Sequence, residues 1–134
     1  MAGAFLDTNV LVYAFTDDPR AARAEELLAR GGTISVQVLT EFANVAHRKL
    51  GLTWHEVAEA SEAVRRLCQP VLDVDLEDHV NALRLASRHR FRIFDAQVLA
   101  SALRGRCSVL LTEDLQDGLV IDGRLTVANP FRAA

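Results

Sequence analysis

The chain has 134 residues, half of them hydrophobic, and a formal net charge of −3. This size suits one domain with a real core over residues 1–134, and the charge excludes a uniformly basic surface. No apolar run approaches the roughly 20 residues that a membrane span needs, and the first residues lack the features of a signal peptide, so we expect a cytoplasmic protein. Cys68 and Cys107 have no C-x-x-C pairing and are expected to be reduced and buried.

Strand-like and helix-like segments alternate along the whole chain. We predict strands at residues 4–6, 33–36, 71–74, 108–111 and 125–127, the last of them at a sheet edge. Helices are predicted at 9–15, from Asp18 to Gly31, from Val38 to Gly51, from Thr53 to the residue before Pro70, at 75–87, and at 95–103. This order indicates an α/β fold with a central parallel sheet covered by helices on both faces.

The run Phe5-Leu6-Asp7-Thr8-Asn9 passes from a buried strand directly into a helix. Asp7 is therefore expected at the carboxyl edge of the sheet, where open α/β sheets bind ligands. Taken alone, the run is equally well explained by Asp7 or Thr8 as a simple helix cap.

Three further acids occupy comparable positions. Asp114 follows the strand at 108–111, as Asp7 follows the first strand. Asp95 heads an otherwise apolar helix face; a cap is the alternative, but burial without a cation would be costly, which favours a function. Glu41 borders the apolar stripe of its helix, where a glutamate is also ordinary. Folding can bring all four acids into one crevice.

Four adjacent carboxylates would repel one another and raise each other's pKa values, and a hard divalent cation removes that conflict. Mg²⁺ or Mn²⁺ takes oxygen ligands and is usually held by a few carboxylates together with substrate phosphate. The chemistry indicated is metal-assisted attack of water on a phosphodiester. The sequence contains no P-loop, G-x-S-x-G, G-x-G-x-x-G or H-E-x-x-H motif that would favour another reaction.

Five segments together resemble the PIN-domain ribonucleases, and more closely the VapC-type toxins of bacterial toxin–antitoxin pairs. They are Phe5-Leu6-Asp7-Thr8-Asn9-Val10-Leu11, Val38-Leu39-Thr40-Glu41-Phe42, Phe94-Asp95-Ala96, Leu110-Leu111-Thr112-Glu113-Asp114-Leu115 and Asn129-Pro130-Phe131. The resemblance covers the chain in order and length, and it implies a PIN-like three-layer α/β/α sandwich.

The resemblance also implies function. It suggests an endoribonuclease that depends on Mg²⁺ or Mn²⁺, with Asp7, Glu41, Asp95 and Asp114 as the catalytic and metal-binding acids. Supporting polar roles fall by similarity to Thr8, Asn9 and Thr112. A homodimer and inhibition by a small cognate antitoxin are further expectations of the family. Gln97 departs from the family pattern, because many relatives carry an apolar residue there.

Arginine outnumbers lysine 14 to 1, which supplies the side chain best suited to phosphate. Arg84, Arg88 and Arg92 could line the crevice and hold RNA phosphates, although a solvated, salt-bridged face explains any one of them equally well. Single-stranded or loop RNA is the expected substrate, because sequence-specific readers need splayed bases.

Other functions remain open on the sequence alone. A housekeeping PIN-domain RNA-processing nuclease would carry the same acids. A receiver domain would want a lysine beyond a late strand, whereas the only lysine, Lys49, is predicted in a helix. The four intact acids argue against an acidic binding module without nuclease activity. A phosphatase with Asp7 as nucleophile would favour a second aspartate where Asn9 stands.

Overall fold

The computed structural model describes residues 3–132. The first two and the last two residues of the predicted domain lie outside this range. The strands in this range are β1 Ala4–Leu6, β2 Ile34–Ser35, β3 Val71–Leu72, β4 Val109–Leu111, β5 Val120–Ile121 and β6 Leu125–Ala128. The helices are α1 Thr8–Tyr13, α2 Ala21–Arg30, α3 Val36–Arg48, α4 Trp54–Leu67, α5 Leu76–His89 and α6 Ile93–Arg104. Between residues 3 and 132, no helix combines the length and the hydrophobicity needed to cross a membrane.

The sheet is mostly parallel. Strands β1, β4, β6 and β5 pair in that order, and only the β5–β6 pair is antiparallel. The short parallel pair β2–β3 meets the edge of β1 through a bridge between Phe5 and Thr33, where the Leu6 amide donates to the Thr33 carbonyl at 3.0 Å. The predicted α/β fold with a mainly parallel sheet is therefore confirmed.

Helices flank the sheet in two groups. Helices α1 to α4 pack against one another, while α5 packs against α6, which in turn contacts β2 and β4. Phe5, Leu110 and Val127 are in register on three neighbouring strands and are fully buried. The row fixes the register of β1 against β4, because a slip by one residue would turn these side chains to the opposite face.

Several helix starts follow local sequence chemistry. Asp7 caps α1, Ser35 caps α3, and capping boxes formed by Thr53 with Glu56 and by Asp75 with Asp78 open α4 and α5. The helices predicted from Thr53 and from residue 75 therefore begin where expected. The two cysteines are free and buried, as expected.

Local predictions were wrong in several places. Helix α3 begins at Val36, which was predicted as the end of the second strand. Helix α2 begins at Ala21, and Asp18 closes a turn before it by accepting from the Arg20 amide at 2.8 Å. Helix α6 begins at Ile93, two residues before Asp95. Strand β5 was not predicted, and because it pairs with β6, the last strand lies inside the sheet and not at its edge.

Candidate active site

The cleft is built around the carboxyl ends of β1 and β4. These parallel strands are in register at Leu6 and Leu111, so Asp7 and Thr112 emerge side by side. The Asp7 amide donates to the Leu111 carbonyl at 3.1 Å, and the Thr112 hydroxyl donates to Asp7 Oδ2 at 2.8 Å. Asp7 Oδ1 accepts from the Thr8 amide at 2.7 Å, which fixes both oxygens of the carboxylate.

The Thr112 hydroxyl connects three site residues. While it donates to Asp7, it accepts from Asn9 Nδ2 at 3.0 Å and from the Asp114 amide at 3.1 Å. Asn9 Nδ2 also lies 3.2 Å from Asp114 Oδ2. A hydroxyl has one donor and two acceptor positions, so all of its capacity is used in holding Asp7, Asn9 and Asp114 together.

Glu41 is held from the opposite wall of the cleft by α1 and α3. Its Oε2 accepts from the Thr8 hydroxyl at 3.0 Å and its Oε1 from Gln37 Nε2 at 2.9 Å. The same Gln37 nitrogen lies 3.2 Å from the Phe94 carbonyl at the start of α6. Gln37 thus joins the helix that carries Glu41 to the helix that carries Asp95.

Asp95 lies in the first turn of α6, where the positive end of the helix dipole favours a carboxylate. Arg92 Nε is 3.7 Å from Asp95 Oδ2. The Arg92 side chain is 83% exposed, so this contact is a weak surface ion pair that a ligand can replace.

All four predicted acids line one open cleft with a volume of about 510 Å³. Within residues 3–132, no three acidic, histidine or cysteine side chains are close enough to form a ready-made metal-binding group. The carboxylates therefore share a cleft without meeting in a tight cluster. The remaining lining residues are Thr8, Asn9, Val12, Tyr13, Asn44, Val45, Lys49, Arg92, Phe94 and Val98.

Burial and mutual repulsion raise two carboxyl pKa values. Asp7 is only 5% exposed, and its pKa rises from 3.8 to about 6, mainly because burial disfavours its charge. The hydrogen bonds from Thr112 and Thr8 oppose this rise, while the charges of Asp114 and Glu41 add to it. Burial also raises the pKa of Asp95; Arg92 lowers it, and Asp114 and Glu41 raise it further.

This donor set fits a hard divalent cation. Carboxylate oxygens are the ligands that Mg²⁺ and Mn²⁺ prefer, and Mg²⁺ keeps several of its waters when bound. Carboxylates that line a common cleft at a distance can hold such a hydrated ion without tight clustering. A cation would also relieve the repulsion that raises the pKa values of Asp7 and Asp95.

The structure separates the three arginines considered for RNA binding. Arg92 lines the cleft. Arg84 instead pairs with Asp122 at 2.9 Å, and Arg88 lies near the same aspartate. Contrary to the prediction, neither arginine lines the cleft. The ion-pair partner of Arg84 is far away in sequence, in the turn between β5 and β6, which the sequence pattern did not reveal.

Two polar cleft residues, one on α3 and one directly after its end, were missed. Asn44 and Lys49 follow Glu41 by three and eight residues, spacings that put residues on one helix face. Lys49 was weighed only as evidence against a receiver domain. Its spacing from Glu41 was the signal that could have placed it in the cleft.

This chain has an α/β fold with acids at the carboxyl edge of its sheet and a cleft between the flanking helices. Proteins of this class bind ligands at that edge. The family model described as PIN domain matches residues 4–116, and the chain belongs to this family. No curated protein matches the chain.

Three solved structures are similar in fold. VapC20 of Mycobacterium tuberculosis, described as a sarcin–ricin-loop-cleaving toxin, has 23% identity and a TM-score of 0.69 over 84% of this chain and 92% of its own. A toxin–antitoxin complex from Klebsiella pneumoniae has 22% identity and a TM-score of 0.74 over 98% and 100%. VapBC2 from Rickettsia felis, bound to a DNA fragment from its promoter, has 18% identity and a TM-score of 0.67 over 94% and 98%.

Proposed function

We propose that this protein is an endoribonuclease that depends on Mg²⁺ or Mn²⁺ and acts as the toxin of a toxin–antitoxin pair. The observation that carries the proposal is the cleft at the ends of β1 and β4, which is lined by Asp7, Glu41, Asp95 and Asp114 in a PIN-domain chain. The similarity in fold to a toxin described as cleaving the sarcin–ricin loop supports RNA as the substrate.

In this proposal the four acids would hold the cation, and the chemistry that it would supply is activation of a water and neutralisation of charge on the phosphodiester. The protein's own contribution is to fix the ligands. Thr112 holds Asp7, Asn9 bridges Thr112 and Asp114, and Thr8 holds Glu41.

Two positively charged side chains at the cleft supply contacts for the RNA backbone. Arg92 and Lys49 line the same cleft as the acids, and Arg92 is paired only weakly with Asp95. Phosphate contacts from such side chains fix the position of the nucleic acid without reading its sequence. Arg84 and Arg88, which lie outside the cleft, are not part of this proposal.

The nuclease activity is tested by incubating purified protein with total cellular RNA and Mg²⁺ or Mn²⁺, followed by mapping of the cleavage ends. We expect discrete cuts that disappear in EDTA and in Asp7→Asn, which keeps the shape of the side chain and removes its charge. Asp17→Asn is the matched control, since Asp17 is exposed and does not line the cleft. Full cleavage in EDTA or by Asp7→Asn would refute the mechanism.

The proposal also includes a partner. The similarity to toxin–antitoxin complexes supports a small antitoxin that blocks the cleft, and we expect a homodimer as in the family. An arginine or lysine side chain of the antitoxin, placed among four carboxylates in a partly desolvated cleft, would be attracted more strongly than in water.

Co-expression with the product of the adjacent small gene tests this part. We expect growth arrest from the chain alone, and a stable complex without RNase activity. A protein that cuts RNA but neither arrests growth nor binds that product would be a housekeeping RNA-processing nuclease instead.

A further inference from the structure

A second groove adjoins the acidic cleft and shares two of its residues. Glu41 and Phe94 line both the cleft of about 510 Å³ and this groove of about 490 Å³. The groove lies between the first turns of α3 and α6 and the segment that follows β3. Its other lining residues are Val36, Gln37, Thr40, Asp73, Val74 and Gln97.

The groove combines an exposed aromatic face with amide groups. Phe94 is 62% exposed and Val36 is 49% exposed, and both side chains line this one groove. Gln97 lies one helical turn after Phe94 on α6 and lines the same groove. An amide beside an aromatic ring offers a donor and an acceptor next to a stacking surface.

Gln37 adds an unused hydrogen-bond acceptor. Its amide nitrogen is committed to Glu41 and to the Phe94 carbonyl, which fixes the orientation of the amide. Within the part of the chain that the structure describes, its buried Oε1 has no hydrogen-bond partner. Buried polar atoms without partners are rare in folded proteins, and a donor from a ligand would satisfy this one.

We propose that this groove binds an unpaired nucleobase next to the phosphodiester held in the cleft, with Phe94 as the stacking surface and Gln97 as a specificity-determining residue. The inference rests on the proposed ribonuclease function and names a substrate subsite for it. Single-stranded RNA is bound by stacking bases on aromatic side chains and by hydrogen bonds to their edges, and the groove supplies both.

The position of the groove favours RNA over a protein partner as its occupant. Phe94 and Glu41 lie on the border of both cavities. An RNA strand that has one phosphate among the carboxylates therefore places its next base in the groove.

Two variants test the subsite in cleavage. Phe94→Leu removes the aromatic face, and stacking of one base predicts a kcat/KM about 5- to 150-fold lower, which Phe94→Trp should restore. Gln97→Leu should change the base preferred beside the cut in a short RNA substrate with randomised flanking positions. Trp54→Leu is the matched control, because Trp54 is also 62% exposed and lines neither cavity.

Photocrosslinking supplies a readout that does not depend on cleavage. A pool of randomised single-stranded RNA that contains 5-iodouridine should crosslink to Phe94 in the wild-type protein with Ca²⁺ present, and not to Trp54. If the protein crosslinks at Phe94 but cuts no RNA, the base site stands and the proposed nuclease function fails.

Unchanged efficiency and base preference in both variants, with no crosslink at Phe94, would overturn the inference and leave the nuclease function intact. If the same variants weaken binding of a protein partner without affecting cleavage, the groove is a protein-docking site and the inference is also wrong. A protein that neither cleaves RNA nor crosslinks at Phe94 refutes both proposals.

Discussion

The free energy of unfolding of Asp7→Asn, taken relative to that of the wild type, should rise from acid to neutral pH. The pKa of Asp7 rises from 3.8 in an unfolded chain to about 6 in the fold. Below both values the carboxyl is protonated in either state, so burial carries no ionic penalty. As the pH rises between them, the unfolded chain releases its proton first, and the free energy of unfolding of the wild type falls.

The structure gives the size of this effect. At about 1.4 kcal/mol per pKa unit, ionised Asp7 destabilises the fold by roughly 3 kcal/mol above pH 6. Asparagine removes that penalty but loses one hydrogen bond, because its Nδ2 faces a Thr112 hydroxyl that already accepts from Asn9 and from the Asp114 amide. That loss costs about 1–3 kcal/mol and does not depend on pH.

The assay is urea unfolding of the wild type and Asp7→Asn in EDTA at several values between pH 4 and pH 7. The stability of the variant relative to the wild type should rise through this window by roughly 3 kcal/mol and then level off. Asp122→Asn is the control, because a hydrogen bond from Arg84 lowers the pKa of Asp122 from its usual value of 3.8. Its protonation therefore changes mainly below this window, and the stability of this variant relative to the wild type should stay nearly flat between pH 4 and pH 7. A flat difference for Asp7→Asn would refute the reasoning.

Two further substitutions test single contacts. Thr112→Val keeps the shape of the side chain but removes the hydroxyl that binds Asp7, Asn9 and the Asp114 amide, so we expect about 1–3 kcal/mol less stability and a loss of RNA cleavage, with Thr112→Ser close to wild type in both measurements. Arg104→Met leaves Asp78, which is 1% exposed, without its cation at 2.8 Å, and should lower the free energy of urea unfolding by roughly 3 kcal/mol. Arg30→Met, which breaks only an exposed pair with Glu26, should cost less than about 1 kcal/mol, and an equal loss in the two arginine variants would contradict this explanation.

The main elements of the fold could be predicted because local and tertiary signals agree. Apolar runs of strand length ending in Asp7 and in Thr112-Glu113-Asp114 identify β1 and β4, and their neighbouring positions follow from parallel pairing. Strand β5 gave no such signal. It lies between Asp117-Gly118 and Asp122-Gly123, two pairs that indicate turns, and it is held by its antiparallel pairing with β6.

The acids were easier to predict than the cations. A carboxylate at a strand end or on an apolar helix face conflicts with its surroundings, and this conflict is visible in the sequence. An arginine or lysine suits any exposed surface, so only the fold shows that Arg84 has a partner in Asp122, 38 residues away. Whether the four acids act in catalysis stays a prediction.

The raised pKa of Asp7 connects the stability of the fold to its proposed function. The Asp7 carboxylate is only 5% exposed, and the charges of Asp114 and Glu41 repel it. When ionised, it therefore destabilises the folded state at neutral pH. The hydrogen bonds from Thr8 and Thr112 offset this only in part, since the pKa stays above its usual value. A structural helix cap would need no such position, because an exposed aspartate caps a helix equally well. The buried, destabilising placement of Asp7 is understandable if a cation neutralises it in the working protein, which favours a metal-binding role over the simple cap.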